Sequence, residues 1–468
     1  MKKSRKRLAL GISIPVVLLF IGILVALLMP FNLFVVTEAL SDLGLLGGRK
    51  RVDGLVDAPP GPAAPPPLRI VNGMLWDAPG GLRPNPGLAV VSGRIAVSAP
   101  PGARTIDAAG MTVMPGLIDM HVHSLGGTFA GEMWIGNGVT TARDLGTHLA
   151  GVIQHREESA GGERVGPRLF VSGPYLVGGE ASSDQEISAS DPESAISAVS
   201  RLSEAGVDGI KLHWGNTAET LRAASETAHR RGLWVAAHLD GVGAAEAARL
   251  GADTIEHVSG IGWDAGSAEQ DEAIEAMVSR GVALTPTLVV AEHAFTLPDL
   301  VSVGDPEMLY FPRFFRRFWI SSQIRNAAAS RLTRLEADLR RARLERLKSF
   351  VGRFRRAGGR VLVGTDAPAY LVAPGFDIHR ELELLVASGL TWEEALSAAT
   401  HAAALVLGRG EEIGALRAGM RADLILVEGG SLSGLEGVSP TRRIVMVISS
   451  GRILLDRTSK LTTQDPRR

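Results

Sequence analysis

Cysteine is absent from all 468 residues, which removes disulfides, thiolate metal ligands and a thiol nucleophile. His, Asp, Glu and Lys are left as the chemical repertoire. Charge of one sign is missing too: 49 Lys and Arg stand against 50 Asp and Glu, a formal net charge of -1. No global field draws acidic polymers, so no nucleic-acid partner is expected. Repeats of solenoid type are also lacking. The length exceeds one small domain and suffices for one large barrel with a satellite domain.

What is present begins with an uncharged run from Leu8 to Met29, preceded by the five basic residues of MKKSRKR. The run is long enough to cross a bilayer as a helix. Its basic flank puts the amino terminus in the cytoplasm and the remainder outside. A cleaved signal peptide is the rival reading, but its apolar stretch spans about 7–15 residues and ends in small side chains, whereas this one ends in LLMPFNLF. Residues 1–30 are therefore predicted to be a retained single-pass membrane anchor, with a periplasmic or extracellular catalytic part. Residues 31–67 close with APPGPAAPPP, a stiff polyproline spacer.

Short alternating runs broken by Gly and Pro, LRIVNGMLW and LAVVSGRIAV, predict β-strands over 68–114. The same grammar returns in ADLILVEGG and RRIVMVISSGRILLD over 411–458, ahead of a tail at 459–468. Together the flanks predict a small composite β-sandwich into which the region 115–410 is inserted. Within that region apolar runs alternate with amphipathic helical stretches: LIDMHVH, GVTTARD, PRLFVSGP, GIKLHW, LWVAAHLDG, DTIEHVSG, ALTPTLVV and VLVGTDAP. Eight such strands with crossover helices predict an α/β fold, a (β/α)8 TIM barrel. One crossover, residues 291–360, is longer than a barrel connection needs. From Arg313 to Arg356 it carries thirteen Arg and one Lys against three acids. Leu332, Leu335, Leu339, Leu347, Phe350 and Phe354 form a helical stripe along it. The plain reading is a solvated helix covering the barrel; a sharper one has Arg313–Trp319 touching an anionic membrane surface.

His121 and His123 lie two apart on a strand, so both imidazoles share one face at the carboxyl end of the first barrel strand. Catalytic groups of such barrels sit there. His238, His257 and Asp366 each close an apolar run in the same way. One histidine at a strand end is usually structural, satisfied by hydrogen bonds. Repetition at equivalent strand ends argues for a metal centre, and nitrogen with carboxylate donors suits Zn or a similar divalent ion. Lys211 sits inside the apolar strand GIKLHW, where an unpaired ammonium costs several kcal/mol; snorkelling or an ion pair is the plain alternative.

PGLIDMHVH, GVTTARDLG, IKLH, AHRRGLWVAAH, GADTIEHVS, TPTL, VGTDAP, HRELELLVASGLTWEEALSAATHAAA and IGALRAGMRADLILVEG resemble, in order, the motifs of the amidohydrolase superfamily, near its Xaa-Pro dipeptidases and imidazolonepropionases. The resemblance covers about Leu68 to Asp456. It implies a binuclear site, with His121, His123 and Asp366 on one divalent ion, His238 and His257 on the other, and a carboxylated Lys211 bridging both. A metal-bridging hydroxide would then cleave an amide or peptide-type C–N bond, with Asp366 as general base and then acid. The implied substrate is a small amide or dipeptide. An esterase or lactonase using the same site, and a non-catalytic binding protein on the same scaffold, are the alternatives. His379 matches a family position near the mouth, where it would touch substrate or else cap and pack. Arg143 reads as a structural residue pinning a loop, and His213 shares the face of Lys211 with no role decided. Gly178-Gly179-Glu180 departs from the family pattern of a His after the third strand, which weakens a peptide-carboxylate contact there. A homo-oligomer is left open.

Overall fold

The structure, a computed structural model, describes residues 48–56, 64–124, 128–258, 260–261, 267–300, 306–313, 316, 334–429 and 439–461. The anchor expected at 1–30, much of the spacer, the tail from 462, and most of Arg313–Trp319 lie outside the described residues. Among the described residues no helix is long and apolar enough to cross a membrane.

The first flank folds as β1 (Leu68–Val71), β2 (Met74–Asp77), β3 (Gly81–Pro84), β4 (Leu88–Val91), β5 (Arg94–Ala96), β6 (Arg104–Asp107) and β7 (Met111–Pro115). Then come β8 (Leu117–Val122), β9 (Val139–Asp144), β10 (Arg168–Val171), β11 (Tyr175–Val177) and β12 (Glu186–Ser188). The remaining barrel strands are β13 (Gly209–Leu212), β14 (Trp234–His238), β15 (Thr254–Glu256) and β16 (Ala283–Thr285). The second flank supplies β17 (Leu424–Glu428), β18 (Ile444–Ser449) and β19 (Arg452–Asp456).

Both flanks build one sheet, in the order β19-β18-β17-β7-β2-β3, where β17 pairs antiparallel with β7 and sets Leu426 opposite Val113. A second sheet, β5-β4-β1-β6, faces it. Ile70, Val90, Val113, Leu426 and Ile448 are fully buried in the layer between them. Each such side chain contributes about 1.5–3 kcal/mol of burial. The chain passes from sandwich to barrel through Gly116, where a Cβ would lie 2.1 Å from Thr140 Oγ1.

Strands β8, β9 and β10 pair in parallel, as do β11, β13, β14, β15 and β16. Residues 361–366 close the ring: Leu362 N–H donates to Leu284 O at 2.8 Å and Met120 N–H to Val363 O at 2.9 Å. Residue parity decides what each strand shows the barrel interior. Ile210 and Leu212 join the core around the helices, which leaves Lys211 on the opposite, inward face. The crossover helices begin with strong caps. Asp191 and Ser194 form a capping box ahead of Pro192–Glu204, and Thr217 and Thr220 form another ahead of Ala218–Arg230. The first buries Ala195, Ala198, Val199 and Leu202, a spacing that lays one helical face on the sheet.

The run ALTPTLVV, predicted as a single strand, is divided. β16 stops at Thr285 and a helix runs from Leu288 to Leu300. Pro286 has no N–H to continue the ladder, and Thr287 takes a left-handed φ of 49°. The buried Glu381 carboxyl then accepts the Leu288 and Val289 N–H groups, at 3.0 and 2.7 Å, satisfying the helix start. Within the long insertion, helix Arg334–Arg356 buries Leu344, Leu347, Phe350 and Phe354 and leaves Leu339 exposed. It does more than cover the barrel, because Arg343 and Leu347 form part of the wall of the cavity described next.

Candidate active site and metal centre

A cavity of about 770 Å³ opens at the carboxyl ends of the barrel strands. Its polar floor holds His121, His123, Lys211, His238, His257 and Asp366. Five of these were singled out in the sequence by their strand-end positions, and Lys211 as a charged residue inside an apolar strand. Ligand-capable atoms of His121, His123 and Asp366 all lie within 4.8 Å of one another. Asp366 Oδ1 is 2.9 Å from His123 Nε2 and 3.4 Å from His121 Nε2. The His257 ring stands 4.7 Å from that of His121 and 4.8 Å from that of His238, centre to centre.

Hydrogen bonds at the back of the rings fix which nitrogen faces the cavity. His121 Nδ1 is 2.8 Å from Glu256 Oε2, and His123 Nδ1 is 3.0 Å from Gly146 O. Both partners accept, so each ring donates through Nδ1 and points its Nε2 into the cavity, towards Asp366. His257 Nδ1 lies 2.6 Å from Thr287 Oγ1, whose hydroxyl donates onward to Pro286 O at 2.8 Å. The threonine oxygen is therefore the acceptor, and His257 Nε2 is freed in the same way. Such outer partners are what orient metal-ligating imidazoles. His257 and Asp366 hold left-handed φ values of 68° and 60°. Backbone strain of this kind is typical of functional sites.

Two buried atoms on the floor, Lys211 Nζ and His238 Nδ1, have no hydrogen-bond partner among the described residues. Buried polar atoms are rarely left so. Burial pulls the Lys211 ammonium down to about 8, against the charges of Glu256 and Asp366, which hold it up. Burial also lowers His121 and His238 to about 4, with the Lys211 charge adding to the effect in both. These rings are neutral near pH 7, the form that ligates metals. Burial pushes Asp366 up, but the surrounding imidazoles outweigh it and keep the carboxylate ionised. Inward-facing imidazole nitrogens, an ionised carboxylate and a buried amine with no hydrogen-bond partner among the described residues fit divalent metal.

Glu256 is the residue the sequence reading passed over. It is fully buried and accepts Arg143 Nη2–H at 2.6 Å as well as His121 Nδ1–H. Its signal was parity: in Thr254-Ile255-Glu256 the first and third residues face the barrel interior. Arg143 is structural, as expected, but its partners are Glu256 and Met120 O, at 2.7 Å, inside the barrel. The neighbouring Asp144 instead accepts from Ser124 and Thr147. His213 lines the cavity, stacked on Tyr175 with centroids 4.7 Å apart. His379 is corrected: it is buried outside the cavity wall, with Nδ1 2.8 Å from Thr441 Oγ1, so it packs rather than meets a substrate.

The upper wall is apolar, built from Val258, Val290, Ala291, Ala294, Phe295 and Leu347, with the Arg343 guanidinium 5.4 Å from the centre of the Phe295 ring.

None of the curated proteins matches the sequence. Among solved structures, a putative prolidase from Bifidobacterium longum is 26% identical, covers 86% of this chain and 98% of its own, and superposes with a TM-score of 0.66. A Xaa-Pro dipeptidase with bound methionine in its active site shares 22% identity over 83% of this chain and 100% of its own, at a TM-score of 0.65. The ochratoxinase of A. niger shares 20% identity over 85% of this chain and 97% of its own, at 0.63. These three share the fold. The model of the amidohydrolase family matches residues 112–454, from β7 through the barrel to β19, and this chain belongs to that family.

Proposed function

We propose that the cavity is the active site of a metal-dependent hydrolase cleaving an amide or peptide-type C–N bond in a small substrate. One observation carries the reading: imidazoles from three strand ends, a carboxylate and a buried lysine with no hydrogen-bond partner among the described residues converge on one floor. Two divalent ions, Zn by donor chemistry, would be held by His121, His123 and Asp366 and by His238 and His257. A carboxylated Lys211 would lie between them. When bound, the metals lower the pKa of water and polarise the substrate carbonyl.

The chain's own residues do the rest. A lysine lowered to about 8 has an appreciable neutral fraction near pH 7, the form that takes up carbon dioxide and releases a proton. Asp366 is ionised and stands among the ligand imidazoles, so it accepts the proton of the attacking water and returns it to the leaving nitrogen. Glu256, Gly146 O and Thr287 hold three rings in the required tautomer. The apolar wall receives the substrate's side chain, and Arg343 pairs with its carboxylate. The methionine in the active site of the Xaa-Pro dipeptidase neighbour supports a dipeptide-like substrate. The proposal includes the single-pass anchor at 1–30, read from the uncharged run Leu8–Met29, and an enzyme outside the cytoplasm, read from its basic flank. Matched amide and ester substrates, assayed on the parent and on Asp366→Asn, test the reading. Amide cleavage that collapses in the variant is expected. Preference for the ester would point to an esterase, and full activity in Asp366→Asn would remove the proton-transfer role.

A further inference from the structure

A second cavity, of about 540 Å³, lies at the other end of the barrel, between the start of β10 and the hairpin turns of the sandwich. Arg94, Arg164, Arg168, Arg421 and Arg452 line it, against Glu163 as the one acid among the described lining residues. Backbone of Gly161, Gly162 and Gly166 and the serines Ser92, Ser449 and Ser450 complete the wall. The turns are packed closely enough to fix the shape: a Cβ on Gly451 would lie 2.8 Å from Gly93 Cα.

Two guanidiniums are central. Arg168 donates through Nη2 to Ser450 Oγ at 3.0 Å and to Asp423 Oδ2 at 3.4 Å, while its buried Nε has no hydrogen-bond partner among the described residues. Arg421 Nε is likewise buried and without a hydrogen bond, and its nearest carboxylate, Glu412, is 3.7 Å away. The two like charges act on one another, since the Arg168 charge is the largest influence lowering the proton affinity of Arg421. Five guanidiniums around a polar cavity, with Glu163 the one acid among its described lining residues, suit an oxyanion able to accept several hydrogen bonds.

We infer that this cavity is a binding site for a phosphate-type oxyanion, held by Arg168 and Arg421 with Ser450 and separate from the hydrolytic site. The phosphate could be free or the headgroup of a lipid. Ala64 and Pro65, where the polyproline spacer ends, form part of the wall, so a lipid source would come from the side on which the spacer enters.

Calorimetric titration of the full-length chain with inorganic phosphate, and separately with a short-chain phosphatidic acid, at constant ionic strength provides the test. Saturable binding is expected in the parent and in the surface variant Arg249→Gln, weakened at least about tenfold in Arg421→Gln, with amide hydrolysis unchanged. Equal affinity for both ligands indicates a free anion; tighter binding of phosphatidic acid indicates a headgroup. Absence of saturable binding, or binding undiminished in Arg421→Gln, overturns the inference. So does binding lost in His238→Ala while Arg421→Gln retains it, because the phosphate would then be on the metal centre.

Discussion

Glu256→Gln puts the buried interior of the barrel under the sharpest stress. The carboxylate is shared between Arg143 Nη2, at 2.6 Å, and His121 Nδ1, at 2.8 Å, and neither Glu256 nor Arg143 has appreciable solvent contact. Gln keeps the shape but removes the charge, leaving the buried Arg143 guanidinium without the carboxylate it is hydrogen-bonded to. Breaking a buried pair from one side costs about 3–5 kcal/mol, a large share of the roughly 5–15 kcal/mol that holds a domain together. The amide also presents a donor as readily as an acceptor to His121, so the tautomer that frees Nε2 is no longer enforced. Losses of about 10–100-fold in metal affinity follow changes of this kind. Denaturant unfolding of chelator-treated protein reads the first effect, and competition with a metal-binding dye reads the second. A variant within about 1 kcal/mol of the parent and with unchanged metal affinity would refute the reasoning.

Gly364→Ala would place a Cβ 2.4 Å from Thr285 Cγ2 and 2.8 Å from His121 Cβ. A loss of about 1–3 kcal/mol together with weakened metal binding is expected from unfolding and metal analysis. Burial pushes the Glu381 carboxyl up to about 8 from its ordinary 4.5, although two backbone N–H groups draw it down. Its folded form therefore keeps a proton that the unfolded chain releases above 4.5, so this contribution is complete at low pH and is lost as pH rises through 8. Relative to Glu381→Gln, parent stability should fall by up to about 1.4 kcal/mol per pH unit across that window, and parallel profiles would contradict it. Arg343→Gln should raise KM about tenfold for a substrate bearing a carboxylate and leave kcat and neutral amides nearly unaffected; steady-state kinetics on both substrates checks it.

Most of the cavity floor was legible because its histidines and Asp366 end runs of apolar side chains, a pattern that survives without any knowledge of pairing. His121, His123, His238, His257 and Asp366 all stand out in this way. Glu256 did not, because it precedes a histidine that already drew the eye, and its neighbours Ile255 and Val258 read simply as strand. The polar barrel interior of Asp119, Arg143, Lys211 and Glu256 is a property of parity across several strands at once, invisible in any one. The strand-to-helix change at Pro286 was missed because Leu288-Val289-Val290 carries β-type residues. Its helix is started by Glu381, which is 92 residues from Val289 in sequence. His379 shows the opposite failure, a position chosen by likeness whose ring is held by Thr441 in the packing. The role of helix Arg334–Arg356 in the cavity wall depends on how the insertion folds back, which helical periodicity does not specify.

The most direct measurement is metal content per chain, by elemental analysis of full-length protein purified with bicarbonate, for the parent, Lys211→Ala and His238→Ala. About two Zn-like ions in the parent and a clear loss in both variants are expected. A single ion indifferent to Lys211→Ala would contradict a bridging lysine, and no bound metal in the parent would contradict the hydrolytic centre itself.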